Sequence, residues 1–175
     1  GASVADELTA RGWTDVTVRD RGRLFDSGGS TFHAPGLVSR TSVSRMMARF
    51  AIETVDLMTS LEHPDGPCFD VVGALEVATT DERLGDLRRK RGWAESWDIE
   101  ARIVDVAECV ALHPLIDPTR IVGGLHIPGD GLAKATRTTE TRAAGATERG
   151  ARFLGEREVV GVDVERARVT GVRTA

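Results

Sequence analysis

Two places in the sequence combine residue types that could do chemistry. The first is the run Gly28-Gly29-Ser30-Thr31-Phe32-His33-Ala34-Pro35-Gly36-Leu37. Its glycines let backbone amides approach a ligand without interference from a Cβ atom. Its histidine offers a ring nitrogen that is nucleophilic when the imidazole is neutral. The second is Asp20, closing the β-branched run Asp15-Val16-Thr17-Val18-Arg19-Asp20. A carboxylate at the end of such a strand can accept hydrogen bonds from the two hydroxyls of a ribose. Each signal alone is modest, because a histidine after Ser-Thr in a turn is usually a hydrogen-bonded loop residue.

The other titratable residues read as structural. His63, His113 and His126 have no partners at nucleophile or metal-ligand spacing, Glu76 reads as a charge on a strand face, and Asp130 as a helix cap. Cys68 and Cys109 stand alone, so reduced thiols are expected rather than a zinc site or a disulfide. The chain has no tyrosine.

These residues need a scaffold, and the apolar spacing supplies one. Ala2 to Arg11 places Val4, Ala5 and Leu8 on one helical face, with Gly12 as the left-handed stop. The run to Asp20 then reads as a buried strand of a parallel sheet, followed by a turn-rich stretch from Arg21 to Pro35. Ser42 to Leu61 carries Val43, Met46, Met47, Phe50, Ala51, Val55 and Met58 at helical intervals, the methionines as core filling. Cys68 to Thr79 reads as a strand pair or one strand bent at Gly73. Asp81 to Trp97 reads as a helix with Leu84, Leu87 and Trp93 inward. Ile103 to Val106 is extended, and Asp105 with Glu108 forms a possible capping box. Ile121 to Ile127 reads as a strand. Asp130 is expected to cap a helix from Leu132 to about Arg149, one rich in Thr, interrupted by Gly145 and poor in large apolar side chains. Arg152 to Leu154 and the valines 160, 162, 164, 169 and 172 give a strand and a hairpin turning near Arg166-Ala167.

A dinucleotide fold needs a strand, a glycine-rich turn, a helix, a second strand, and an acid about twenty residues beyond the glycines. Gly1 and Asp20 fit the latter half. The positive end of the helix would meet the pyrophosphate and the acid the ribose. The first strand and two of the three fingerprint glycines are absent, and the start at Gly1, already helical and without an initiator methionine, reads as a cut edge.

Three stretches carry a family resemblance: ADELTARGW with the strand to Asp20, GGSTFHAPGL, and GALEVATT followed later by GGLHIPGDGLA. With them the chain resembles the glycine-oxidase/D-amino-acid-oxidase superfamily of FAD-dependent oxidoreductases, and within it the dimethylglycine and sarcosine dehydrogenases and oxidases. The likeness extends over the whole chain, with GGSTFHAPGL its most specific part. It implies an α/β (α+β) fold: an incomplete FAD-binding Rossmann-like domain with an inserted, partly antiparallel substrate domain. Residues 1–40 would be the first part of the FAD-binding domain, 41–130 part of the substrate or cap domain, and 131–175 the return to the FAD-binding domain.

The resemblance further implies that His33 is the covalent attachment point of FAD. It places Ser30, Thr31 and Phe32 at the flavin and pyrophosphate, Leu37 packed nearby, Asp20 with Arg21 at the adenosine ribose, and the backbone of Val159 at the adenine, with Gly1 as the cofactor-binding glycine of the fingerprint. The implied reaction oxidises an N-methyl glycine derivative, a small-molecule amine, by hydride transfer to the flavin. Oxygen or an electron-transfer protein would take the electrons. A folate-binding module belongs to larger relatives, and the substrate-side His and Tyr are expected beyond Ala175, so no catalytic residue is assigned here. Marginal stability and no turnover are expected of the isolated chain.

Composition narrows the remaining classes. With 175 residues, 41% apolar residues and a net charge of −4, the chain matches one globular domain or two small ones. The acidic balance speaks against nucleic acid, with Arg88 to Arg91 read as a solvated helix end. No apolar run or leader pattern calls for a membrane or export, so a cytoplasmic location is expected. Two rivals stay open: a truncated remnant without cofactor, and a reversible NAD-type module using Asp20 for the ribose.

Overall fold

The computed structural model describes residues 1–26 and 28–175. Ser27, inside the turn-rich stretch expected from the sequence, lies outside the described residues. In chain order the elements are α1 (Ala2–Ala10), β1 (Thr17–Arg19), β2 (Leu37–Val38), α2 (Arg45–Ser60), β3 (Glu62–His63), β4 (Gly66–Pro67), β5 (Phe69–Asp70), β6 (Ala74–Ala78), α3 (Asp81–Ser96), β7 (Arg102–Val104), α4 (Val106–Leu112), β8 (Gly123–Ile127), β9 (Gly131–Ala133), α5 (Ala135–Glu148), β10 (Arg152–Leu154), β11 (Val159–Glu165) and β12 (Arg168–Thr174). They form two compact units, one of residues 1–35, 61–68 and 134–175, the other of residues 36–60 and 69–133.

In the first unit β1 and β10 pair in parallel, Val18 opposite Phe153. Parallel neighbours cannot be joined by a tight turn, and here the helix α5 leads into β10. α5 packs on α1 through Ala5 and Ala146, with Ala151, Val16, Val18 and Phe153 alongside. This accounts for the scarcity of large apolar residues in α5: small side chains let the two helix backbones come close, so Ala and Gly serve the contact. The same contact corrects the face expected of α1. Ala5 and Thr9, one turn apart, are its buried residues, whereas Val4 is 61% exposed.

Charge reinforces this helix pair. Arg142 Nη2 donates to Glu7 Oε1 at 2.8 Å, and Arg142 Nε lies 2.8 Å from Asp6 Oδ2 without hydrogen-bond alignment. Arg149 also pairs with Asp6, and its Nε donates to Thr9 Oγ1 at 3.1 Å. The hairpin β3–β4 rests on α5 through His63, whose Nε2 lies 3.1 Å from Glu140 Oε2. Its Nδ1 accepts from the Asp65 N–H at 3.1 Å, a structural role as expected. β11 and β12 form the expected antiparallel hairpin, and the turn residues Arg166 and Ala167 have φ of 48° and 61°, as a type I′ turn demands.

In the second unit β8 lies between β6 and β7, antiparallel to both. α3 covers one face with Leu84, Leu87 and Ala94 against Ala78, Leu125 and Ile127, while Cys109 of α4 packs with Val104 and Ile121. Both helices start on side-chain caps, Thr80 Oγ1 accepting from Arg83 N and Asp105 Oδ1 from Glu108 N. Glu76 is the strand-face charge expected, accepting from Arg83 Nη2 at 3.1 Å and bonded to Lys90. A second small sheet orders β2–β9–β5, with Val55 and Met58 of α2 packed beside Phe69.

Three expectations are corrected here. Trp93 is 38% exposed and Ala94 takes the inward place, because Leu84, Leu87 and Ala94 continue a three- and four-residue stripe that Trp93 misses by about 100°. Met46 and Met47 are exposed by 63% and 56%, and Ala48, Val55 and Met58 form the buried stripe of α2. Asp130 caps no helix. Residues 131–133 pair with β2 on one side and β5 on the other, which holds them extended, and the helix starts at Ala135 with Lys134 at its cap position. Asp130 is instead fully buried, its Oδ1 accepting from Arg40 N at 3.2 Å and Arg40 Nε at 3.1 Å.

Candidate functional site

The first unit contains a cavity of about 280 Å³ at the C-terminal end of β1. Its walls include Gly1 and Ala2 of the α1 start, Asp20, the turn Gly29 to Phe32, Thr136 and Thr139 of α5, and Phe153 of β10. β1 delivers Asp20, and backbone hydrogen bonds fix it there: its N–H donates to Leu154 O at 3.0 Å and its carbonyl accepts from Arg157 N at 2.8 Å. One carboxylate oxygen accepts from Gly22 N at 2.8 Å. Asp20 is the only titratable side chain among the described lining residues, so the cavity is suited to holding a ligand rather than to proton transfer.

α1 begins at Gly1 without a side-chain cap and without an acid in its first turn. Its first N–H groups therefore carry uncompensated partial positive charge at the cavity wall. A Cβ on Gly1 would lie 3.3 Å from Val18 Cγ1, a tight approach that suits glycine.

The turn after Gly29 is built on one carbonyl. Gly29 O accepts from Phe32 N at 3.1 Å and His33 N at 3.4 Å, and His33 Nδ1 lies 3.1 Å from the same oxygen. A carbonyl oxygen only accepts, so Nδ1 carries the proton in this contact and Nε2 is the nitrogen with a free lone pair. The His33 ring meets Phe32 edge-on, with centroids 5.7 Å apart.

The structure thus brings Gly1, Asp20, Ser30, Thr31 and Phe32 to one cavity, with His33 next in the chain and exposed. Arg21 is exposed and is not part of the wall, Val159 opens β11 and is 43% exposed, and Leu37 lies on β2 in the second unit. Thr136, Thr139, Phe153 and Leu24 are wall residues that the sequence reading passed over. The available signal was Thr136-x-x-Thr139, a spacing that puts two hydroxyls on one helical face. No group of three or more His, Cys, Asp or Glu suited to a metal ion occurs among the described residues, and no helix among them is long and apolar enough to cross a membrane.

Comparison with known proteins gives a consistent result. The family described as FAD dependent oxidoreductase matches residues 1–175. The chain is 28% identical over 176 residues to the mitochondrial pyruvate dehydrogenase phosphatase regulatory subunit of Mus musculus, covering 99% of this chain and 20% of that one. It is 29% identical over 153 residues to the mitochondrial dimethylglycine dehydrogenase of Mus musculus, covering 86% of this chain and 17% of that one. Among solved structures, L-proline dehydrogenase from P.horikoshii superposes with a TM-score of 0.87 at 24% identity, over 99% of this chain and 46% of that one. That likeness is one of fold, and it bears out the mixed α/β reading. The chain spans about a fifth of the length of these two curated relatives.

Proposed function

Since the chain belongs to the FAD dependent oxidoreductase family, we propose that it supplies the adenosine-side cradle and the covalent tether for FAD in an enzyme oxidising N-methyl glycine derivatives of the dimethylglycine or sarcosine type. The observation that carries this reading is the convergence of an uncapped helix start, a strand-end aspartate and the Gly29 to Phe32 turn on one cavity.

The residues suit the group. The α1 amides favour an anionic diphosphate, Asp20 offers a carboxylate to ribose hydroxyls, and Phe32 offers an apolar edge to a ring system. When bound, FAD supplies the acceptor for the hydride that leaves the N-methyl carbon of the substrate. His33 presents Nε2 as the attachment point, held in that tautomer by the Gly29 carbonyl. Arg21 and the Val159 backbone complete the assignment, at the ribose and at the adenine. The small-molecule amine substrate is suggested by the likeness to dimethylglycine dehydrogenase. Oxygen or an electron-transfer protein as acceptor, and a folate-binding module in the longer relatives, remain part of the same reading.

The test is the intact denatured mass of the protein from its native source, followed by the mass of the peptide containing His33. Flavin on that peptide is the expected result; an unmodified peptide would overturn the covalent assignment. A second reading, a remnant that carries no flavin, stands as the alternative. It predicts the unmodified peptide and no FAD uptake, whereas a reversible NAD-type module would leave His33 unmodified but bind NAD.

A further inference from the structure

The wall of the cavity contributed by α5 contains one hydroxyl that the helix leaves unused. Thr138, Thr139 and Thr147 each donate to the carbonyl four residues back, at 3.1, 2.9 and 2.8 Å, and Thr141 Oγ1 contacts Cys68 Sγ at 3.6 Å. Thr136 is half-buried and makes no side-chain hydrogen bond among the described residues. Its neighbours in the wall are largely apolar, with Val18, Phe25, Phe32 and Phe153 among them. The Thr136 hydroxyl is therefore free to donate to a ligand that occupies the cavity.

The charge pattern around this hydroxyl points to an anion. α3 and α4 both carry a side-chain cap and acids in the first turn. α5 has neither, and nor does α1, the other helix whose start lines the cavity. Among the described residues Asp20 brings the only carboxylate to the wall, and it stands on β1, not on either helix.

We infer that Thr136 is a binding residue for the diphosphate of the dinucleotide, donating its hydroxyl to a phosphate oxygen from α5 while α1 presents its amides. This inference rests on the functional reading above and adds a residue from the far side of the chain. The ligand would then be held by segments more than a hundred residues apart in sequence, Gly1 to Phe32 and Thr136 to Phe153.

The experiment is calorimetric titration of the chain with ADP, which carries the diphosphate and ribose without the flavin, and then with FAD. Thr136→Val should weaken ADP binding about tenfold, the loss of one hydrogen bond to a charged group. Thr136→Ser should restore it, and Thr147→Val, which removes a hydroxyl of the same helix away from this cavity, should bind as the unaltered chain does. Thr136→Ala provides a second deletion should the valine not fold. Unchanged affinity in the folded deletion variant would overturn the inference and leave the functional reading standing. An unaltered chain that takes up neither ADP nor FAD would overturn the functional reading and, with it, the role of Thr136.

Discussion

Arg142 Nη2 donates to Glu7 Oε1 at 2.8 Å while the arginine side chain is only 7% exposed. The contact joins α5 to α1 beside a seam of small side chains, Ala5 and Ala146. The hydrogen bond and the charge of Arg142 hold the Glu7 carboxyl below the usual carboxylate range. Because the folded value is lower than the unfolded one, the contribution is complete above the unfolded value and is lost as the pH falls through the folded one. Melting temperatures measured from about pH 5 down to about pH 3 should therefore fall more steeply for the unaltered chain than for Glu7→Gln. Equal slopes would show that the pair contributes nothing.

Asp20 should govern affinity for the adenosine part. Its backbone is fixed by Leu154 and Arg157, so Asp20→Ala leaves the strand in place and removes the carboxylate together with the bond it accepts from Gly22 N. Affinity for FAD should drop roughly tenfold or more, the worth of a hydrogen bond to a charged acceptor. Fluorescence titration reads this directly, and an unchanged dissociation constant would remove Asp20 from the site.

His33→Ala should separate attachment from binding. The replacement leaves the Gly29 carbonyl bonded to Phe32 N, so the turn persists without the nucleophile. Flavin should remain with the native protein but come away on acid precipitation. Flavin retained in the acid pellet would place the covalent bond elsewhere.

Much of this was legible because it is local. The helix positions, the Asp105 cap and the Arg166-Ala167 turn depend on residues within a few positions of one another and form where the pattern places them, although the buried face differs from the expected one in α1, α2 and α3. The Asp130–Arg40 pair was not legible, since its partners are 90 residues apart and an aspartate before a presumed helix reads as a cap. α5 misled for a related reason. Its lack of large apolar residues suggests a weak helix until α1 is seen packed on it. At the site, Asp20 and the glycine-rich turn were singled out from residue type and His33 from the family resemblance, whereas Thr136 joins the cavity wall only through tertiary structure.

Gly131→Ala should damage the second unit sharply. A Cβ there would lie 2.1 Å from the Asp70 carbonyl oxygen, and backbone cannot withdraw as a flexible side chain can. A loss of about 2–3 kcal/mol follows, or roughly 4–12 °C in melting temperature for a chain of this size. Gly85→Ala, with no atom near its added Cβ, serves as the comparison by differential scanning calorimetry.

The antiparallel pairing of Leu37 with Leu132 bears on how the chain closes its long-range contacts. β1 must find β10, a partner more than 130 positions later, and closing so long a loop carries an entropic cost that rises with the logarithm of its length. Once β2 and β9 have met, the polypeptide departs at residue 36 and returns at residue 133 side by side, tied by the Ala133 N–H to Gly36 O bond of 2.7 Å. The effective loop between the parallel partners then shrinks by nearly a hundred residues. An interposed segment whose two ends are stitched together in this way can vary in length with little penalty to the parallel pair, so insertions in its exposed connections, outside the first unit's residues 61–68, should be far better tolerated than any that part residues 36 and 133.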